Sequence, residues 1–164
     1  MIQKKNKVQN FLLDVDGVLT TGHFLYDTFG KQYKIFGPDD KDALLLLKNY
    51  IKIFFITSDL KGFKISKKRV EDMGFKIKYI PSQLRYDWVK KNFDLRQTIF
   101  MGDGLFDIRL VKDSYLSICP QNSISLIKKY ADYVTKNKGG ERAVAEACVY
   151  VLLKIFNTNI ENLI

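Results

Sequence analysis

The chain has 164 residues, 46% hydrophobic and 13% aromatic, with 27 Lys and Arg against 18 Asp and Glu for a net charge of +9. That length fits one domain with a sizeable core, and the composition excludes wholesale disorder and a small disulfide-stapled scaffold. Cys119 and Cys148 have neither a C-x-x-C spacing nor accompanying histidines, so a zinc ribbon or finger lacks its ligands and both are expected as buried thiols in a reducing compartment.

In chain order, residues 11–15 read as a buried first strand. Residues 24–26 and 32–36 read as a hairpin, with Asp27-Thr28-Phe29-Gly30-Lys31 at its tip. A helix is expected from near Pro38, where Asp39, Asp40 and Asp42 suit a positively polarised N-terminus. A strand over 51–56 follows, then a helix after Lys61 carrying Ile65, Val70 and Met73 and ended by Gly74, then a strand over 75–80. The alternation continues with a helix over 86–93, a strand over 98–101, a helix over 106–112, a strand over 115–118 and a helix from Ser123. The last helix, over 140–156, is marked by Val144, Ala147, Cys148, Val151, Leu152 and Ile155.

Strands alternating with helices predict an α/β fold: a Rossmann-like, mostly parallel sheet with helices on both faces and a projecting β-hairpin. The whole chain, 1–164, reads as one domain with no room for a separate cap. Its longest apolar stretches, 43–47 and 53–56, fall far short of the roughly 18 residues needed to span a bilayer. The start MIQKKNKVQN runs into an acidic segment instead of a signal-peptide cleavage site, so a soluble cytoplasmic protein is expected.

Several chemistries are excluded by missing residues. One histidine, His23, rules out mechanisms that need two, and residues 125 and 154 are Ser and Lys where a C-x5-R thiol phosphatase needs Arg. Residues 17–22 imitate a phosphate-binding P-loop, but His23 and Phe24 stand where Lys and Ser or Thr are required. The lysines are spread in short clusters without a recognised nucleic-acid module, so the basic charge reads as general attraction to anionic substrates and a nucleic-acid partner is not expected.

In parallel α/β sheets, ligands sit beyond the carboxyl ends of the strands. There the sequence places Asp14 and Asp16, then Thr57 and Ser58, then Asp103 and Asp107. Four carboxylates at one sheet edge repel one another, and a bound divalent cation with hard oxygen ligands, Mg²⁺, would offset that repulsion. Taken singly, each of these residues also fits a helix N-cap.

The segment Asp14-Val15-Asp16-Gly17-Val18-Leu19-Thr20 resembles the nucleophile motif D-x-D-G-x-[LV]-[TS] of the haloacid dehalogenase superfamily. Gly102-Asp103 with Asp107 resembles its G-D-x3-D metal motif, and Thr57 stands where the superfamily keeps Thr or Ser. The ending TKNKGGERAVAE, residues 135–146, is similar to the T-x-x-x-G-G-x-G-A-V-x-E of small cap-less members, with Arg142 in place of a glycine. Within the superfamily the likeness is to the 3-deoxy-D-manno-octulosonate 8-phosphate phosphatases and the phosphatase domain attached to some acylneuraminate cytidylyltransferases. Thr57-Ser58-Asp59 departs from their usual Thr-Gly-Arg, and Arg85 stands for their usual phosphate-neutralising lysine, with Lys90 and Lys91 as rivals.

The resemblance implies Mg²⁺-dependent hydrolysis of a small phosphate monoester, a sugar phosphate of the 2-keto-3-deoxy acid type, through an aspartyl-phosphate. It implies Asp14 as nucleophile, Asp16 as acid and base, and Thr57, Ser58 and Arg85 around the phosphoryl oxygens. Mg²⁺ would be held by Asp14, Asp103, Asp107 and the Asp16 backbone carbonyl. The alternatives are a nucleotide or polynucleotide-end phosphatase, and a non-enzymatic phosphoacceptor or scaffold. The related enzymes are tetramers, and the apolar hairpin over 24–36 is expected to pack against a neighbouring copy.

Overall fold

A computed structural model describes residues 8–164; the basic start with Lys4 lies outside the described residues. Four segments are apolar enough to be covered on both sides and form the middle of one sheet: β1 (Asn10–Asp14), β4 (Lys52–Thr57), β6 (Thr98–Met101) and β7 (Leu116–Cys119). With β5 (Lys76–Tyr79) and the two-residue β8 (Tyr133–Val134) they give the order β5-β4-β1-β6-β7-β8, every pair parallel.

Alternation along each strand divides the core in two. Phe11, Leu13, Phe55 and Met101 pack on one face against α1 (Asp40–Leu47), α2 (Phe63–Asp72) and α6 (Ala143–Lys154). Leu12, Ile56 and Phe100 pack on the other against α3 (Ser82–Asn92), α4 (Ile108–Asp113) and α5 (Ser125–Tyr130). The expected doubly covered parallel sheet is therefore what forms, with Cys119 on β7 and Cys148 on α6 as buried free thiols. Among the described residues, no helix is long and apolar enough to cross a membrane.

The hairpin, β2 (Thr20–Asp27) and β3 (Gly30–Phe36), forms a separate antiparallel ribbon between β1 and α1. It is longer than the expected 24–26 and 32–36, and its register shifts twice, between Thr20 and Phe24 and between Leu25 and Tyr26. Those irregularities hide the first half of β2 from a simple alternating pattern.

Three details depart from the local reading. The 106–112 segment is a short 3₁₀ turn, Leu105–Asp107, followed by α4. Asp39 makes no side-chain cap on α1, and the buried Asp40 instead accepts the Ala145 N–H at 2.9 Å, capping α6 from another element. The missing glycine also has a backbone consequence. Arg142 sits at φ +75°, a region that favours glycine, and its Nε pairs with Asp39.

The glycine pair before it is held by close backbone approach. A Cβ on Gly139 would stand 1.8 Å from the Gly17 carbonyl oxygen, and one on Gly140 would stand 2.4 Å from the Thr21 nitrogen. The tail thus packs directly on the loop that follows β1.

Candidate active site

Because β4, β1 and β6 are neighbours, their carboxyl ends lie side by side, about one strand spacing apart. Asp14 ends β1, Thr57 ends β4, and Asp103 follows β6. The chain leaves β1 through Gly17 at φ +80°, and the Thr20 hydroxyl accepts the N–H groups of Gly17 and Gly22 at 3.1 and 3.2 Å. That explains the Gly and Thr of the Asp14–Thr20 segment: one permits the turn and the other fastens it.

Asp14, Asp103 and Asp107 each offer an oxygen within 4.8 Å of the others. Asp107 is fixed by the N–H groups of Asp103 and Gly104, both donating to Oδ2 at 3.1 Å, and by Arg85 Nη1 on Oδ1 at 2.5 Å. Arg85, buried in α3, also meets Asp14 through Nη1 and Nη2, and its Nη2 donates to Ser58 Oγ at 2.8 Å. The Ser58 hydroxyl donates in turn to the Ile80 carbonyl at 2.7 Å, so Ser58 acts here by fixing the guanidinium.

Lys90 and Lys91 lie further along α3 and are exposed, as is His23 on the hairpin. A solvated surface cation therefore describes these lysines and not Arg85.

The electrostatics follow from crowding under burial. Asp14 is pushed up to about 7 by desolvation, with Asp107 and Asp16 adding to the rise and Arg85 opposing it. Desolvation, then Asp14 and Asp107, push Asp103 up to about 8. Burial works against the Arg85 charge, but Asp14 and Asp107 outweigh it and hold the guanidinium protonated above its ordinary range.

Three carboxylates share one buried cation, so negative charge is left over, and every donor in the cluster is a hard oxygen. Such a set fits a divalent ion of the Mg²⁺ type.

Asp16 is turned away from that cluster. Its Oδ1 lies 2.6 Å from Lys34 Nζ, and its Oδ2 accepts the Thr57 hydroxyl at 3.1 Å. Thr57 Oγ1 also accepts the Asp59 N–H at 3.1 Å. Asp59 pairs with Lys31 at 2.5 Å and Lys34 at 2.8 Å. Burial alone would raise its carboxyl, but these lysines and the Gly62 N–H hold it down to about 2. A cavity of about 270 Å³ is lined by Asp14, Asp16, Phe24, Lys31, Ser58, Asp59 and Arg85.

The structure thus brings together Asp14, Asp16, Thr57, Ser58, Arg85, Asp103 and Asp107 at one sheet edge. Lys31, Lys34 and Phe24 join them without having been expected. On an alternating hairpin of a basic chain, a lysine looks like any solvated charge, and only the unusual acid at position 59 hinted at a buried partner.

A family profile described as haloacid dehalogenase-like hydrolase matches residues 82–147. The 3-deoxy-D-manno-octulosonate 8-phosphate phosphatases of Escherichia coli K12 and Yersinia pestis are 28% and 27% identical over 159 and 162 residues. Each alignment covers 93% of this chain and 84% of the relative. The crystal structure of the phosphatase of that name from Moraxella catarrhalis, in complex with magnesium ion, phosphate ion and a KDO molecule, superposes with a TM-score of 0.79. It is 27% identical, over 94% of this chain and 91% of that one. The strand-end acids, the parallel sheet and these likenesses agree, and the chain is similar to haloacid dehalogenase-like hydrolases and, along nearly its whole length, to these phosphatases.

Proposed function

We propose that the protein hydrolyses a small phosphate monoester, a sugar phosphate of the 2-keto-3-deoxy acid type, through a phosphoaspartate on Asp14. The observation that carries this reading is the pairing of Asp14 with Arg85 inside an oxygen-only acidic cluster at the end of β1. The likeness to phosphatases along nearly the whole chain supports the substrate class.

Asp14, Asp103 and Asp107, with the Asp16 backbone carbonyl, would hold Mg²⁺. Bound there, the ion supplies charge neutralisation for the carboxylate and the phosphoryl oxygens. The chain's own groups do the rest. An Asp14 oxygen attacks phosphorus as the ester P–O bond breaks, and Asp16 gives its proton to the leaving oxygen. Asp16 then takes a proton from water as that water attacks phosphorus and displaces Asp14, releasing phosphate. Arg85 neutralises phosphoryl oxygens as charge shifts in the transition state, and Thr57 steadies Asp16.

We read the hairpin as the contact between copies in a homo-oligomer, a tetramer. Phe29 is 92% exposed, and Leu25, Tyr26, Tyr33 and Ile35 are all exposed as well, more apolar surface than a lone ribbon keeps in water. A neighbour's surface would also shield the open cavity, which a cap-less domain otherwise leaves to solvent.

The test is phosphate release with Mg²⁺ across 2-keto-3-deoxy acid sugar phosphates, neutral sugar phosphates and nucleotides. Fastest turnover of the acid sugar phosphates is expected. Preference for nucleotides or polynucleotide ends would move the substrate class, and a phosphoaspartate that persists without turnover would point to a phosphoacceptor.

A further inference from the structure

Among the described residues, Lys34 is the only buried lysine. It stands in the middle of β3, yet its side chain leaves the ribbon and enters the body of the domain. An ammonium has three N–H donors, and three acceptors receive them: Asp16 Oδ1 at 2.6 Å, Asp59 Oδ2 at 2.8 Å and Ser66 Oγ at 2.8 Å. Those acceptors come from the loop after β1, the loop after β4, and α2. Four separate segments therefore meet at one nitrogen.

Burying a charge in this way is unfavourable unless geometry and pairing are nearly complete. Here they are complete, which a solvent-facing hairpin does not need for its own stability. Asp16 is the group that gains. Its side chain is 30% exposed on the cavity, and apart from Lys34 its carboxylate has the Thr57 hydroxyl as partner. With Lys34 on Oδ1 and Thr57 on Oδ2, both oxygens are fixed.

We propose that Lys34 is a positioning residue that holds the Asp16 carboxylate in its working orientation and, through Asp59 and Ser66, makes that orientation depend on the hairpin being docked. The inference rests on the phosphatase reading, in which Asp16 protonates the leaving oxygen and then activates water. A misplaced acid harms the first step only when the leaving group needs a proton, whereas a misplaced base harms the second step for every substrate.

The experiment compares p-nitrophenyl phosphate, whose leaving group departs as the anion, with an alkyl sugar phosphate, using the Mg²⁺-loaded full chain and rapid mixing. Wild type must first turn over both esters; if it turns over neither, the phosphatase reading fails and this inference falls with it. Given an active wild type, Lys34→Met is expected to keep a stoichiometric burst of nitrophenolate and then stall. It should release no burst of sugar, lose about 100-fold or more in kcat, and keep KM within about threefold.

Equal losses on both esters without a burst would make Lys34 merely structural and overturn the inference while leaving the phosphatase reading intact. Wild-type kcat on the sugar phosphate would overturn it as well. Should Lys34→Met fail to fold, Lys34→Gln, which keeps an N–H donor in place of the ammonium, is expected to show the same split between the two esters, and its absence counts against the inference in the same way.

Discussion

Two nitrogens of the Arg85 fork face the two carboxylate oxygens of Asp14, each at 3.2 Å, with both side chains buried. Bidentate pairing of this kind aligns a carboxylate and offsets its charge, and a lysine cannot reproduce both contacts. Arg85→Ala is expected to lower kcat/KM by about 100-fold or more. Lys90→Ala and Lys91→Ala, on the exposed part of α3, should stay near wild type. Steady-state kinetics on the three variants checks this, and a loss confined to Lys90 or Lys91 would reassign the phosphate-neutralising role.

Asp14→Asn replaces the attacking oxygen by a poor nucleophile and removes one acid of the metal cluster. Phosphatase activity should disappear. Asp16→Asn should lose most turnover yet still accept a beryllofluoride mimic on Asp14, read by fluorine NMR. Normal turnover in Asp16→Asn would place the acid and base role elsewhere.

Metal is expected to stabilise the fold as well as the reaction. Without it, burial raises both Asp14 and Asp103, with Asp107 and Asp16 adding to the first and Asp14 and Asp107 to the second, so a divalent ion relieves a cost that the folded chain carries. Adding Mg²⁺ at about 100 times its dissociation constant should stabilise by about 2.7 kcal/mol, and chelation should reverse it. Differential scanning calorimetry of wild type and Asp103→Asn, which should lose most of the shift, is the measurement.

Asp40 gives stability a pH dependence outside the active site. Burial pushes its carboxyl up to about 6, while the Ala145 N–H opposes the rise. The folded state thus holds this proton more tightly than the unfolded chain, whose aspartates titrate near 4. The sign follows: this group's ionisation costs stability above pH 6, and the cost is removed as pH falls from about 6 to about 4. The stability of wild type relative to Asp40→Asn should increase over that fall, by at most about 3 kcal/mol. Urea unfolding of both proteins at pH 7 and pH 4.5 tests it, and a constant difference would contradict it.

Replacing Phe29 and Tyr33 by Asp removes the two most exposed aromatic rings of the hairpin. The doubly substituted protein is expected to fall from several times 19.1 kDa to a monomer by light scattering, and to lose turnover with the assembly. A wild type that is already a fully active monomer would remove the basis for the hairpin contact.

The sequence by itself determined the parallel sheet and the acids at its edge. Thr98–Met101 is apolar along its length because both faces are covered, and Asp14, Thr57 and Asp103 follow runs of that kind, so strand ends and site residues are both local signals. Only the tertiary structure brought Arg85, and not Lys90 or Lys91, against Asp14, since that partner is 71 positions away and nothing in the helix's own sequence records that distance. The same holds for Lys34, whose acceptor Ser66 lies 32 positions on, and for Asp40, which sits at the start of one helix and caps another 105 positions later. A charge reads as solvated until the chain folds back on it. Burial then makes an unpaired ion too costly to keep, and the pairing that results is a property of the fold.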